Sequence, residues 1–183
     1  MHDELVDIER VRKEAELLHD EQAVARAVRE MAARITQEMA ESNPLAICVM
    51  NGGLMLTGWL TKRLNFPLQL DYAHVTRYRG ATRGGELEWI ARPRASLKDR
   101  TLLLIDDIFD EGITLAALVT ACKELGAGEV KTAVLVRKLH GRAATGVRPD
   151  FVGLTVPDRY VFGCGMDYKN YLRNLPEIYA VRE

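Results

Sequence analysis

Apolar residues return at steps of four and three along the first part of the chain. Val24, Val28, Met31, Ile35 and Met39 share one helical face, with charges opposite. Asp20 is the predicted cap of that helix and Asn43-Pro44 its stop, so residues 1–43 read as a helical segment. The period then changes. Leu45 to Met50 is an unbroken apolar run of strand length, followed by Asn51-Gly52-Gly53 and a helix-like stretch from Leu54 to Leu64. A strand is predicted around Leu70 to Val75. Residues 77–98 are rich in Arg and Gly and read as a mobile hairpin or lid, with Leu87 to Ala91 as its returning arm.

Thr101 to Ile105 is a continuous apolar strand of the kind buried on both faces of a parallel sheet. Asp106 to Gly112 reads as a turn. Leu115, Leu118, Val119, Cys122 and Leu125 mark one helix face that ends at Gly126. Val130 to Val136, Phe151 to Thr155 and Tyr160 to Phe162 complete the strands. Strand and helix alternate, which predicts a doubly wound α/β sheet with its ligands beyond the carboxyl ends of the strands. The loops at 51–53, 106–114, 137–141 and 163–168 are therefore the places for a site.

Length and composition narrow the class. A chain of 183 residues builds one domain, and 48% hydrophobic with 28% charged residues excludes a disordered or collagen-like polymer. Lys and Arg number 25 against 26 Asp and Glu, so no bulk charge draws the chain to nucleic acid or acidic lipid. Cys48, Cys122 and Cys164 form no CxxC pair, and the polar start Met1-His2-Asp3-Glu4 is unlike a targeting segment. A cytoplasmic protein with no membrane or nucleic-acid partner is expected. His2, His19, His74 and His140 show no metal-ligand spacing and read as surface or core residues. Cys164 reads as a small buried hydrophobe, and Trp59 and Trp89 as packing.

The densest chemistry lies in Leu103-Leu104-Ile105-Asp106-Asp107-Ile108-Phe109-Asp110-Glu111-Gly112-Ile113-Thr114-Leu115. Asp106, Asp107, Asp110 and Glu111 crowd one stretch. Their mutual repulsion calls for a cation, a hydroxyl-rich ligand or water. Gly112-Ile113-Thr114 then opens a helix whose free amides, with the Thr114 hydroxyl, suit a phosphate at the positive end of the dipole. A single Asp here reads equally as a helix cap. The whole cluster behind a buried strand reads as a binding site. It is not a P-loop, because the spaced glycine and the following Lys are missing.

That stretch resembles the phosphoribosyl-diphosphate signature of type I phosphoribosyltransferases, in which two acids follow a hydrophobic strand and a small-residue/Thr loop closes the motif. The C-terminal series Arg148-Pro149-Asp150-Phe151-Val152-Gly153, Val156-Pro157-Asp158-Arg159-Tyr160-Val161, Gly165-Met166-Asp167-Tyr168 and Tyr171-Leu172-Arg173-Asn174-Leu175-Pro176 is similar to the purine end of hypoxanthine-guanine phosphoribosyltransferases. The resemblance spans roughly residues 45 to 180. It implies the type I phosphoribosyltransferase fold: a mostly parallel sheet flanked by helices, a mobile lid or hood, and an N-terminal helical segment, in one domain over 1–183.

The resemblance also implies roles. Asp106 and Asp107 would meet the ribose hydroxyls and Mg2+, a hard cation that prefers oxygen ligands. Asp110 would accept the proton near N7 of the purine. The amides of Glu111, Gly112, Ile113 and Thr114 would hold the 5′-phosphate. Lys138 would donate to the six-position oxygen of the base, with Arg137 beside it leaving open which cation acts. Tyr160 would stack on the purine, and Val161 would offer backbone groups to its edge. Asp167 would approach a second magnesium and Arg173 the pyrophosphate. Asn51-Gly52 occupies the pyrophosphate loop, where the family has Lys before the glycine, and Arg77-Tyr78 the lid, where the family has Ser-Tyr. The lid would close over the donor and exclude water.

The activity implied is purine salvage: hypoxanthine or guanine plus 5-phosphoribosyl diphosphate, giving IMP or GMP and pyrophosphate. Two alternatives stand beside it, a regulatory protein that senses the sugar diphosphate and the same chemistry with xanthine preferred. By analogy a homodimer or homotetramer is expected.

Overall fold

The long apolar runs of the sequence become the inner strands of one sheet. The computed structural model describes residues 2–77, 87–141 and 146–182. Along these the chain forms α1 (His2–Glu14), β1 (Glu16–His19), α2 (Glu21–Met39), β2 (Leu45–Met50), α3 (Leu54–Thr61), β3 (Gln69–Arg77) and β4 (Leu87–Ala91). There follow β5 (Thr101–Phe109), α4 (Ile113–Glu124), β6 (Glu129–Leu139), β7 (Phe151–Pro157), β8 (Val161–Phe162) and β9 (Ile178–Ala180). Six strands lie in the order β4-β3-β2-β5-β6-β7. Every neighbouring pair is parallel except β3 with β4. The mostly parallel sheet flanked by helices that was expected is present. No described helix is long and apolar enough to cross a membrane.

Helices on both faces explain why β2 and residues 102–105 of β5 are apolar. Leu103, Ile105, Ala46 and Leu135 meet Val28, Met31 and Ile35 of α2 and Leu56 and Leu60 of α3. Leu102, Leu104, Leu45 and Ile47 meet Leu118 and Cys122 of α4 on the other side. Trp59 and Trp89 pack against these two layers, as expected of packing residues.

The α2 helix follows its pattern. Val24, Val28, Met31, Ile35 and Met39 are all buried, and Asp20 accepts the Ala23 amide at 2.7 Å. The rest of the N-terminal segment is helical only over α1. Residues 1–43 were expected to be helical, yet Glu16–His19 is a strand. It pairs with β9, which also pairs with β8, to make a separate three-stranded sheet. Four residues, one of them His19 bonded to the Thr155 carbonyl at 2.9 Å, are too short for a periodicity signal, and their partner lies some 160 positions away. Helix α1 supports this small sheet. Val11 packs on Phe162 and Leu175, and Asp7 accepts from Tyr168 Oη at 3.1 Å and Lys169 Nζ at 2.8 Å.

The returning arm expected at Leu87 to Ala91 is present as β4, antiparallel to β3. Tyr78 and residues 79–86, on which the lid expectation rests, lie outside the described residues. The expected strand ends shift too. β3 runs to Arg77, β6 runs to Leu139 and α3 stops at Thr61.

Replacing Asp20 by Ala removes the N-cap of α2 and is expected to cost about 1 kcal/mol. The thermal midpoint should fall by roughly 2–4 °C in a melt followed by circular dichroism.

Candidate active site

Five parallel strands bring their carboxyl ends to one edge of the sheet, and the register decides which side chains meet there. Phe109 pairs with Arg137 and Lys138 with Val156. Asp110, one step beyond the end of β5, therefore comes to the level of Lys138. The turn expected from Asp106 onward begins only after Phe109. Asp106 and Ile108 still pair with Val134 and Val136 of β6, and parallel pairing outweighs the repulsion of adjacent acids.

Asp107 is buried and Asp106 partly so, and each carboxylate accepts the next amide along the strand, at 2.9 Å for Asp106 and 2.7 Å for Asp107. Burial raises both carboxyls above the ordinary range. Asp106 rises most, because burial is joined by the neighbouring Asp107 charge. The one cation among the described ion pairs that approaches them is Arg173, 3.9 Å from Asp107 Oδ2. Two loops close around this pair. A Cβ at Gly52 would collide with the Asp107 carboxylate, and one at Gly165 with the Gly52 carbonyl. Gly165 also has a φ of +104°, which only glycine adopts without strain. The Met50-Asn51 peptide that enters the first loop is cis.

Beyond Asp110 the chain turns into α4 through Gly112, whose φ is +79°. Gly112 has no side chain to cap the helix, so the first-turn amides point into a cavity of about 350 Å³ lined by residues 106 to 115. The same cavity is lined by carboxylates and by the start of α4 with Thr114, an arrangement that can hold an anion beside acids.

A second cavity of about 190 Å³ adjoins it, lined by Asp107, Ile108, Asp110, Lys138, Tyr160, Val161, Met166 and Asp167. Lys138 Nζ donates to Asp110 Oδ2 at 2.9 Å, and His140 Nε2 meets Asp110 Oδ1 at 2.7 Å. Burial pushes the Asp110 carboxyl up, but hydrogen bonds from Lys138 and His140 outweigh it and hold it below the usual range. Tyr160 immediately precedes β8. The residue is exposed, and Tyr168 meets its ring edge-on at 5.7 Å. Arg173 Nη2 pairs with Asp167 at 2.6 Å, and its Nη1 donates to the Gly165 carbonyl at 2.6 Å. Both cavities share Asp107, Ile108 and Asp110. A phosphate in one and a flat ring in the other would be joined across these residues.

Comparison with known proteins decides the family. The model of the phosphoribosyl transferase domain matches residues 14–169. The chain is 37% identical to the hypoxanthine-guanine phosphoribosyltransferase of Bacillus subtilis (strain 168), over 94% of this chain and 92% of that one. It is 32% identical to the hypoxanthine-guanine-xanthine phosphoribosyltransferase of Tritrichomonas foetus, over 97% and 93%. The chain belongs to the hypoxanthine-guanine phosphoribosyltransferase family. A solved hypoxanthine phosphoribosyltransferase from Staphylococcus aureus superposes with a TM-score of 0.87 at 26% identity, covering 93% of this chain and 94% of that one. The family match begins at residue 14, well upstream of the span from 45 onward over which the motifs resemble it.

Within this phosphoribosyltransferase the expected site residues fall into groups. Asp106, Asp107, Asp110, Glu111, Gly112, Ile113 and Thr114 line the first cavity, and Asp110, Lys138, Tyr160, Val161 and Asp167 the second. Gly52 and Arg173 reach Asp107, while Asn51 is exposed at the start of its loop. Arg77 ends β3. Arg137 pairs with Phe109 in the strand, and among the two neighbouring cations it is Lys138 that bonds Asp110. Cys164 is fully buried against the Pro176 carbonyl at 3.2 Å, and burial pushes its thiol up to about 12. His140, expected to be an ordinary surface or core residue, instead holds Asp110. The available signal was spacing: His140 stands two residues after Lys138, one past the end of β6, where extended backbone would return it to the same side.

Gly165→Ala forces a strained φ and a backbone collision, and is expected to cost about 2–3 kcal/mol. Asp106→Asn removes a carboxylate whose raised pKa opposes folding once pH exceeds its unfolded value, so this variant should gain about 1 kcal/mol at pH 7. Urea denaturation at pH 7 measures both; a stabilised Gly165→Ala or a destabilised Asp106→Asn would contradict the packing and the repulsion respectively.

Proposed function

We propose that this phosphoribosyltransferase joins hypoxanthine or guanine to 5-phosphoribosyl diphosphate, giving IMP or GMP and pyrophosphate. The observation that carries the reading is the shared wall of the two cavities. An anion cradle at the start of α4 and a ring-sized pocket with Lys138 and Tyr160 meet at Asp110. The names of the Bacillus subtilis and Tritrichomonas foetus relatives agree with 6-oxopurine bases, and the comparisons give no support to a regulatory role.

In this reading the 5′-phosphate sits on the amides of Glu111 to Thr114 and the Thr114 hydroxyl, against the positive end of α4. The ribose hydroxyls face Asp106 and Asp107. These carboxylates are hard oxygen donors whose own ionisation is disfavoured by burial and by each other, so the pair fits Mg2+. When bound, that ion would neutralise charge on the donor and its leaving pyrophosphate. Arg173 with the Asn51-Gly52 amides would receive the pyrophosphate, and Asp167, which holds Arg173 at 2.6 Å, would approach a second magnesium.

The base would enter between Lys138 and Asp110. Lys138 Nζ turns to the six-position oxygen, a contact that favours oxopurines over adenine, whose amino group is a donor. Tyr160 stacks on the ring and Val161 offers backbone groups to its edge. Asp110, ionised at neutral pH, takes the N7 proton as N9 attacks the ribosyl carbon and pyrophosphate departs. Positioning and electrostatics around a cationic sugar supply most of the acceleration.

A single catalytic domain over 1–183 is proposed, in a cytoplasmic homodimer or homotetramer. Half-exposed Leu54, Leu70 and Tyr72 surround an apolar hollow at α3 and β3 that a second copy would cover. The three free cysteines are all buried, which suits a reducing compartment.

A panel of bases with 5-phosphoribosyl diphosphate and Mg2+, scored by pyrophosphate release, tests the reading. Hypoxanthine and guanine should react and adenine should not; turnover of xanthine alone would shift the preference. Asp110→Asn should keep donor affinity and lower kcat by about 10²–10⁴-fold. Lys138→Ala should weaken hypoxanthine and guanine alike, by roughly 10–100-fold in KM. Unchanged turnover in Asp110→Asn would remove it from the proton role, and no loss for either base in Lys138→Ala would place the base elsewhere.

A further inference from the structure

We infer that His140 is a positioning residue for this reaction: it anchors Oδ1 of Asp110 so that Oδ2 stays aimed into the base pocket. The inference rests on the reading of Asp110 as proton acceptor given above. The Asp110 side chain is 41% exposed, and an exposed carboxylate with no tether samples several rotamers. Here it has two tethers on opposite oxygens, Lys138 Nζ on Oδ2 and His140 Nε2 on Oδ1. An ionised carboxylate only accepts, so Nε2 carries the hydrogen and donates.

The two tethers differ in what happens when a base arrives. Lys138 lines the pocket and is the group that an oxopurine recruits, so its bond to Asp110 is given up or shared at that moment. His140 is outside the pocket lining and only 6% exposed, so the base does not compete for it. It continues to hold Oδ1 while Oδ2 is released toward the purine. Sequence carries the same logic. Lys138 lies in β6 and His140 one residue beyond its end, and both reach Asp110, so one short segment presents the exchangeable tether and the permanent one.

Asp110 from the end of β5 and Asp158 from the β7–β8 turn face the imidazole, and Lys138 from β6 shares Asp110 with it. The donor atoms of Asp110, His140 and Asp158 lie within 4.8 Å of one another. A cation bound by those three would displace His140 from Oδ1. The direct 2.7 Å bond favours the histidine in its positioning role over that of a metal ligand.

The test compares His140→Ala and His140→Gln with wild type and Asp110→Asn in steady-state kinetics on hypoxanthine. Gln offers an amide donor at a similar reach, whereas Ala offers none. His140→Ala should lower kcat on the order of tenfold with KM for 5-phosphoribosyl diphosphate unchanged. His140→Gln should recover most of the loss. In an Asp110→Asn background, His140→Ala should add little further, since the group it orients is already disabled. Wild-type kcat in His140→Ala, or equal losses in Ala and Gln accompanied by a lower thermal midpoint, would overturn the inference. If Asp110→Asn slows the enzyme and His140→Ala does not, only the positioning role falls; if Asp110→Asn is itself as fast as wild type, the reading beneath it falls as well.

Discussion

Two carboxylates on adjacent residues of a buried strand are an unfavourable arrangement, and the site is built around keeping them there. Asp106 and Asp107 stay in register with β6, accept successive main-chain amides, and are wedged against a loop whose glycine leaves no room for a Cβ. Burial raises both carboxyls, and Arg173 at 3.9 Å offsets that only in part. A fold that tolerates such a cost holds oxygen ligands where a hard cation or a polyhydroxylated sugar can relieve it. The close passage of Gly52, Asp107 and Gly165 also fixes the distance between the sheet edge and the loop after β8.

Elsewhere in the site, charges are already paired with each other. Asp110 holds Lys138 and His140, and Arg173 holds Asp167. These pairs keep long side chains ordered and lower the entropy lost when a ligand takes one partner away. The depressed ionisation of Asp110 belongs to the same arrangement, because its two donors favour the charged form over the pull of burial. Its contribution to folding is complete above the ordinary carboxylate pKa and is lost as pH falls through the lowered value.

The small second sheet links the two ends of the chain to the chemistry. β9 lies between β1 from the N-terminal segment and β8, which follows Tyr160. Helix α1 adds Val11 to the cluster around Phe162 and ties Asp7 to Tyr168 and Lys169. The first twenty residues thus brace the wall that carries Tyr160 and Val161.

Much of this was legible along the chain. Runs such as Leu45 to Met50 and Thr101 to Ile105 specify inner strands by themselves, because only a sheet covered on both faces buries every residue of a short apolar run. The 106–114 stretch declares anion and cation chemistry because acids, a glycine and a helix start are contiguous. Local patterns fail where pairing reaches across the sequence. Glu16–His19 becomes a strand only because Ile178–Ala180 lies beside it, and β5 continues through Asp106 and Asp107 because β6 supplies their hydrogen bonds. The bond from His140 to Asp110 spans 30 residues, and its existence depends on the parallel register of two strands. Composition and periodicity thus determined the layers and the acidic elbow, since both arise from neighbours in the chain. Tertiary structure alone decided which groups touch, since long-range pairing sets the distances on which hydrogen bonds and charge interactions depend.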